Sequence, residues 1–324
     1  MRIPRRGLIA LPLAAPAFAQ SQRRPLRVIA PFPPGGAVDS MARILADRLA
    51  PVLEQVVIVE NRVGGGGIVG ADTVAKSAPD GTTLGIVSAA SILAAPMLQP
   101  SMPFDAARDL LAVSQITDAA VLCVPNAAAA SREGWRDLPA LLAFARANPG
   151  RLRVGTTGVA TVSHLALAAM TAAAGVEVLH VPYRGGTEAA QAVISGEVDA
   201  VCDLPPLLSP QVASGALRAM AVSSRSRLQF LPDIPGMGEF EATRSIDIRS
   251  WNMLMVASAT PAPEVQRLHA AIRRVAAEPS FRQALAPLSY DAVTSESPEA
   301  AARFVAEEAP RWRELVRLSG ARVT

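Results

Sequence analysis

The chain has 324 residues, half of them hydrophobic and only 4% aromatic, with 31 Lys+Arg against 28 Asp+Glu. These values exclude a disordered chain and leave room for one large domain or two lobes around a sizeable core. Few aromatics and abundant alanine favour closely packed helices over an all-β sandwich.

The charge excess lies at the start. Arg2, Arg5 and Arg6 precede an apolar run over residues 7–18, and Ala17-Phe18-Ala19 before Gln20 is an A-x-A cleavage pattern. This predicts an export signal, residues 1–19, cut after Ala19; the pair Arg5-Arg6 leaves twin-arginine export open beside the general route. The run falls short of the ~20 residues of a membrane span, and no later stretch qualifies. Cleavage removes three arginines and no acid, so the mature chain is balanced in charge. That argues against nucleic acid or an anionic membrane as partner. Cys123 and Cys202 would then meet an oxidising compartment, either as a disulfide or as two buried thiols. His164, His180 and His269 have no ligand-spaced companion, so no metal site is expected.

The first predicted unit is a strand over 27–30, a loop Pro31-Phe32-Pro33-Pro34-Gly35-Gly36, and a helix over 40–53. If Asp39 or a neighbour caps that helix, loop N–H groups and the positive helix end share one small volume suited to a carboxylate or phosphate. A β-branched strand, 55–61, leads through glycines 64–67 to a helix over 71–77. Pro79-Asp80-Gly81 is a turn, and 82–88 a third strand. Strands and helices alternating at this spacing predict parallel βαβ units in a doubly wound α/β arrangement.

After a polar loop over 100–109, residues 111–125 read as one long β-like segment. Helix 138–147, strand 151–155, helix 163–174, strand 177–181, helix 188–195 and strand 198–203 then repeat the opening theme as a second lobe. Thr156-Thr157-Gly158 and Tyr183-Arg184-Gly185-Gly186-Thr187 are its loops. Strands over 217–223 and 250–256 follow, and helices over 264–277, 280–285 and 298–318 are predicted to pack back on the first lobe.

Gly65-Gly66-Gly67-Ile68-Val69-Gly70 fits G-x-G-x-x-G, but a long turn precedes it and no acid ends the next strand. It reads as a loop allowing close backbone approach rather than a dinucleotide site. Ser163 and His164, adjacent on a helix, point about 100° apart, and no G-x-S-x-G elbow supports a nucleophile. His180, among apolar strand residues, reads as structural. Tyr183 is either a core aromatic or faces a ligand, and Asp203, ending a strand, leans toward a cleft.

Pro31 to Gly36 with Asp39 and Ala42-Arg43, the glycine run with Gly70-Ala71, Pro79 to Leu84, Asn148-Pro149-Gly150, His164-Leu165, His180 to Gly185, Gly196 to Asp199 and Trp312 together resemble the periplasmic solute-binding proteins of tripartite tricarboxylate transporters, the Bug family. The resemblance covers nearly the whole mature chain. It implies an α/β, two-lobed, type II periplasmic binding fold with a ligand cleft between lobes. Residues 20–122 would begin lobe 1, 123–224 would form lobe 2, and 225–324 would return to lobe 1. No catalysis and no cofactor are implied.

The resemblance further implies that the loop with Phe32, Pro33, Gly35 and Gly36 holds a carboxylate through N–H groups and water. Ser88 and Ala89 would close that wall, and Thr156, Thr157, Ser163, His164, Gly185, Gly186, Thr187 and Asp203 would line the facing lobe. Asp39 and Tyr183 complete the expected set. The expected partners are a small organic anion and membrane permease subunits, with the receptor a periplasmic monomer. Ala95 stands where the family usually has Asn, so no particular substrate is carried over. The competing readings are an exported α/β hydrolase or dehydrogenase, and a receptor that reports to a sensor protein.

Overall fold

Short apolar segments bounded by glycine, proline and polar turns become the strands of two sheets. The computed structural model describes residues 23–99 and 101–321, so the expected signal segment 1–19 lies outside the described residues. In chain order the strands are β1 (Leu26–Ala30), β2 (Val57–Asn61), β3 (Thr83–Ser88), β4 (Leu110–Asp118), β5 (Leu122–Pro125), β6 (Arg153–Thr156), β7 (Leu179–Pro182), β8 (Ala200–Asp203), β9 (Ala221–Val222), β10 (Asn252–Ala257) and β11 (Asp291–Ala292). The first sheet runs β11-β4-β10-β3-β1-β2, the second β7-β6-β8-β5-β9. Within each, β2-β1-β3 and β7-β6-β8 are parallel, and β10 and β5 run antiparallel to β3 and β8. The expected two-lobed α/β architecture is therefore what the chain adopts.

The segment expected as one β-like run over 111–125 is two strands in two sheets. β4 ends at Asp118 in the first and β5 starts at Leu122 in the second, so residues 119–121 are a crossing. Periodicity cannot reveal this, because the polar Ser114, Gln115, Thr117 and Asp118 of β4 are as buried as its apolar residues, and the crossing that follows is buried too. The return crossing lies just before β10. Ala119 N–H donates to Ser250 O at 3.1 Å and Ser250 N–H to Ala119 O at 2.7 Å, tying the two crossings side by side.

The expected return to lobe 1 at residue 225 comes later. Met237, Ile246 and Ile248 are buried in the core of the second sheet with Leu142, Val154 and Met170, so the chain stays with that lobe until the crossing. The expectation that all the late helices pack on lobe 1 also needs correction. Ala262–Ala277 does pack against helix Ala37–Leu53 and β4, but Pro298–Ser319 lies against both β4 and helix Val162–Ala174 of the second lobe. Trp312 and Val316 share a core with Leu165, Ile92 and Trp251. The helix Pro205–Ala213, which begins with two prolines, was not expected; proline suits the first helical turn, where no intrahelical N–H bond is lost. Cys123 and Cys202 sit opposite each other in the β5–β8 register as buried free thiols.

Candidate functional site

The register of the crossings fixes where a site can form. Ser88, the last residue of β3, pairs with Asn252 at the start of β10, and Asp203, the last residue of β8, pairs with Leu122 at the start of β5. Both crossings therefore leave their sheets at the edge where the parallel strands end. Those edges face each other across a three-residue span, about 10 Å at full extension. Ligands of open α/β sheets bind outside the carboxyl ends of strands.

On the first lobe, β1 delivers Phe32, Pro33, Gly35 and Gly36 to this edge. Gly36 is the N-cap of helix Ala37–Leu53, without a side-chain cap, so the N–H groups of Ala37, Val38 and Asp39 have no acceptor within the helix. The helix starts three residues earlier than its apolar spacing suggests. Asp39 neither caps it nor reaches toward the cleft. Its carboxylate accepts from Gly35 N at 2.9 Å, from Arg43 Nε and Nη2 at 3.0 Å each, and from Asn61 Nδ2 at 2.8 Å. Burial alone would raise this carboxyl, but those donors hold it down at about 2. Asn61 Nδ2 also donates to Phe32 O at 3.0 Å. Asp39 and Asn61 thus shape the loop from below, and Gly35 N–H, engaged by Asp39, is not free for an anion.

The glycine run buttresses the same loop. A Cβ on Gly70 would stand 2.7 Å from Pro31 Cβ and 3.0 Å from Pro31 Cα, so only glycine lets helix Ile68–Ala75 approach this closely. Ser88 Oγ accepts from Ser91 N at 3.3 Å and steadies the turn after β3, while Ala89 N–H is taken by Trp251 O at 3.1 Å.

On the second lobe, β6 brings up Thr156 and Thr157, β7 brings up Gly185 and Gly186, and β8 brings up Asp203. Gly185 precedes helix Gly186–Ser195 without a side-chain cap, leaving the first-turn N–H groups, that of the exposed Thr187 among them, with no intrahelical acceptor. Three expected contacts are turned to other work. Ser163, fully buried, donates through Oγ to Cys202 O. His164 Nδ1 accepts from Ala160 N at 3.1 Å, and its ring stacks on His180 with centroids 4.1 Å apart; His180 Nε2 lies 2.6 Å from the buried Thr156 Oγ1. Burial, then the neighbouring His180, pushes His164 down to about 4, so the pair is neutral. Ser163 and His164 make no bond to each other, consistent with their divergent directions on one helix. Tyr183 does not join the wall either: its hydroxyl donates to Glu197 Oε1 at 2.8 Å, and burial with Glu197 raises it to about 12.

Asn61, His180 and Gly70 support the site. Their sequence signal was a polar residue ending a β-branched run, a histidine in an apolar strand and a glycine opening a helix. A cavity of about 610 Å³ among Phe104, Leu110, Ala112, Met255 and Val305 lies within the first lobe. It offers an apolar lining; its one acid, Asp105, is committed to capping helix Ala106–Asp109, so it suits a carboxylate less than the facing sheet edges do.

The profile of the tripartite tricarboxylate transporter receptor family matches residues 41–320. The chain is 32% identical to BugT of Bordetella pertussis over 313 residues, covering 96% of this chain and 94% of that protein. Among solved structures, MatC of Rhodopseudomonas palustris with bound malate is similar at 28% identity, TM-score 0.73, covering 91% of this chain and 99% of that one. A second R. palustris protein, solved with adipate, is similar at 25% identity, TM-score 0.78, covering 93% and 99%.

Proposed function

We infer the role of this chain from one premise: it belongs to the tripartite tricarboxylate transporter receptor family. It is a solute-binding protein that captures a small organic carboxylate and presents it to a tripartite permease, and it is a receptor rather than an enzyme. The reading proposed for its site is that the carboxylate lies between the Phe32–Gly36 loop with the start of helix Ala37–Leu53 on one side and Thr157, Gly185 and Gly186 on the other. The observation that carries it is the pairing of two uncapped helix starts on facing sheet edges, since orphan N–H groups at the positive end of a helix bind carboxylates without a side-chain cation. A mature chain balanced in charge is compatible with that mode.

Contacts from one ligand to both edges would favour the closed arrangement, the crossings at Ala119 and Ser250 acting as hinge. The similar proteins solved with malate and adipate support a di-acid of four to six carbons as the ligand. The proposal extends to an exported chain cut after Ala19, acting as a periplasmic monomer.

Mature protein, unfolded and refolded to strip carried-over ligand, is titrated with di- and tricarboxylates, aromatic acids and acidic amino acids. Saturable binding with a rise in melting temperature is expected for at least one. Binding of none, by heat or by thermal shift, would overturn the reading.

A further inference from the structure

Asp39, beneath the first-lobe loop, and Asp203, at the cleft edge of β8, are both buried, and they are treated in opposite ways. Asp39 is saturated by Arg43, Asn61 and the Gly35 N–H. Asp203, 8% exposed, has the Leu204 N–H to oppose its burial, and among the described residues no arginine, lysine or histidine acts on its carboxyl. Its position is built rather than incidental. A Cβ on Gly186 would stand 2.5 Å from Asp203 Oδ2 and 2.8 Å from Leu207 Cδ1, so glycine at the start of helix Gly186–Ser195 leaves the room this carboxylate fills. Leu204, the next residue, packs on the cores of both lobes and holds the strand end in place.

A buried carboxylate without a cation is unfavourable when ionised, and a ligand carboxylate brought beside it adds like-charge repulsion. In agreement, burial pushes Asp203 up to about 6. What the position lacks is a donor, and a ligand can supply one.

Resting on the reading of the cleft as a carboxylate site, we propose that Asp203 selects, among small carboxylates, those carrying a hydrogen-bond donor on the carbon next to a carboxylate: an α-ammonium or an α-hydroxyl. The carboxylates of the ligand take the helix starts, and its donor takes Asp203. An ammonium would also supply the missing cation. A plain diacid leaves Asp203 unpaired, or binds only with proton uptake.

The test is titration calorimetry on refolded mature receptor with three matched sets: succinate, malate and aspartate; glutarate, 2-hydroxyglutarate and glutamate; phenylacetate, mandelate and phenylglycine. In whichever set binds, the donor-bearing members are expected to bind about tenfold or more tightly than the plain acid, the size of one charge-assisted hydrogen bond. Asp203→Asn is expected to collapse that ratio, more steeply for the amino acid if the donor is an ammonium and equally for both if it is a hydroxyl. Should the variant not fold, the wild-type ratios decide alone. Plain acids binding as tightly as their donor-bearing partners would overturn the role of Asp203 and leave the carboxylate receptor standing. Binding by no member of any set would overturn the role of Asp203, and failure of adipate and tricarboxylates as well would overturn the carboxylate receptor with it.

Discussion

Replacing Asp39 by asparagine tests whether the cleft loop is held from below. The substitution keeps shape but removes the charge that gathers Gly35 N, Arg43 and Asn61 around a side chain only 2% exposed. The Arg43 end is half exposed and contributes least, since solvent screens it. The buried bonds to Gly35 and Asn61 are charge-assisted, and an asparagine must turn its NH₂ toward at least one former donor. We expect a loss of about 1–3 kcal/mol in urea unfolding. The effect on ligand should be larger than that of Arg43→Met, because Gly35 and, through Asn61, Phe32 O lose their anchor. Calorimetric titration of both variants beside the wild type measures it. An Asp39→Asn protein with unchanged Kd and unchanged urea midpoint would refute the reasoning, and an Arg43→Met protein weakened more than Asp39→Asn would shift the anchor to the exposed side.

Three other outcomes follow from the packing. His164 and His180 are both neutral when folded, with pKa values below the ordinary histidine value, so their contribution is present above about pH 6.5 and is lost as pH falls toward the folded value of about 4 for His164; urea midpoints measured from pH 7 to pH 4 should fall, and His164→Gln should flatten that slope. Gly70→Ala drives a methyl into the Pro31 backbone, so it should lose about 1–3 kcal/mol by overpacking and weaken ligand binding together, read by unfolding and titration on the same sample. Glu308 accepts from the buried indoles of Trp251 at 3.3 Å and Trp312 at 3.2 Å, and from Arg311 at 2.7 Å; Glu308→Leu strands two indole donors and should cost about 2–4 kcal/mol, with a shift in tryptophan emission on a still folded protein.

The α/β class and the repeated strand–loop–helix theme were legible because alternating apolar runs and Gly/Pro loops are local properties. The edge assignment of Phe32–Gly36, Thr156, Gly185 and Asp203 was legible for the same reason: each ends a strand or lies in the loop that follows one. What was not legible is direction. Asp39, Ser163, His164 and Tyr183 stand beside cleft loops in sequence, yet their side chains bond Gly35, Cys202 O, Ala160 N–H and Glu197, partners chosen by tertiary packing. The crossing at 119–121 was hidden likewise, since it is as buried as the strands it joins.

That crossing explains why the two lobes work as one receptor. Setting β1, β2, β3, β4 and β10 against β6, β7, β8, β9 and β5 gives the same spatial order in both sheets, with β10 and β5 as the antiparallel members. In each sheet that member is the strand that arrives from the other lobe. β10 sits between β3 and β4, so the first sheet is completed only after the chain has built the second and returned. The strands next to the proposed hinge are therefore central rather than marginal, and rotation of the lobes would fall on short crossings: 119–121, Ser250, and the buried Ser223 hydroxyl that accepts from Val121 N and donates to Ile248 O. Helix Pro298–Ser319, anchored through Glu308 and Arg311 to the return crossing and packed on both lobes, would limit the same movement. On the proposed reading of the cleft, sheets joined at their strand ends by a few bonds would bring the Phe32–Gly36 loop and Asp203 together or apart as units, which is what capture of a ligand between them requires.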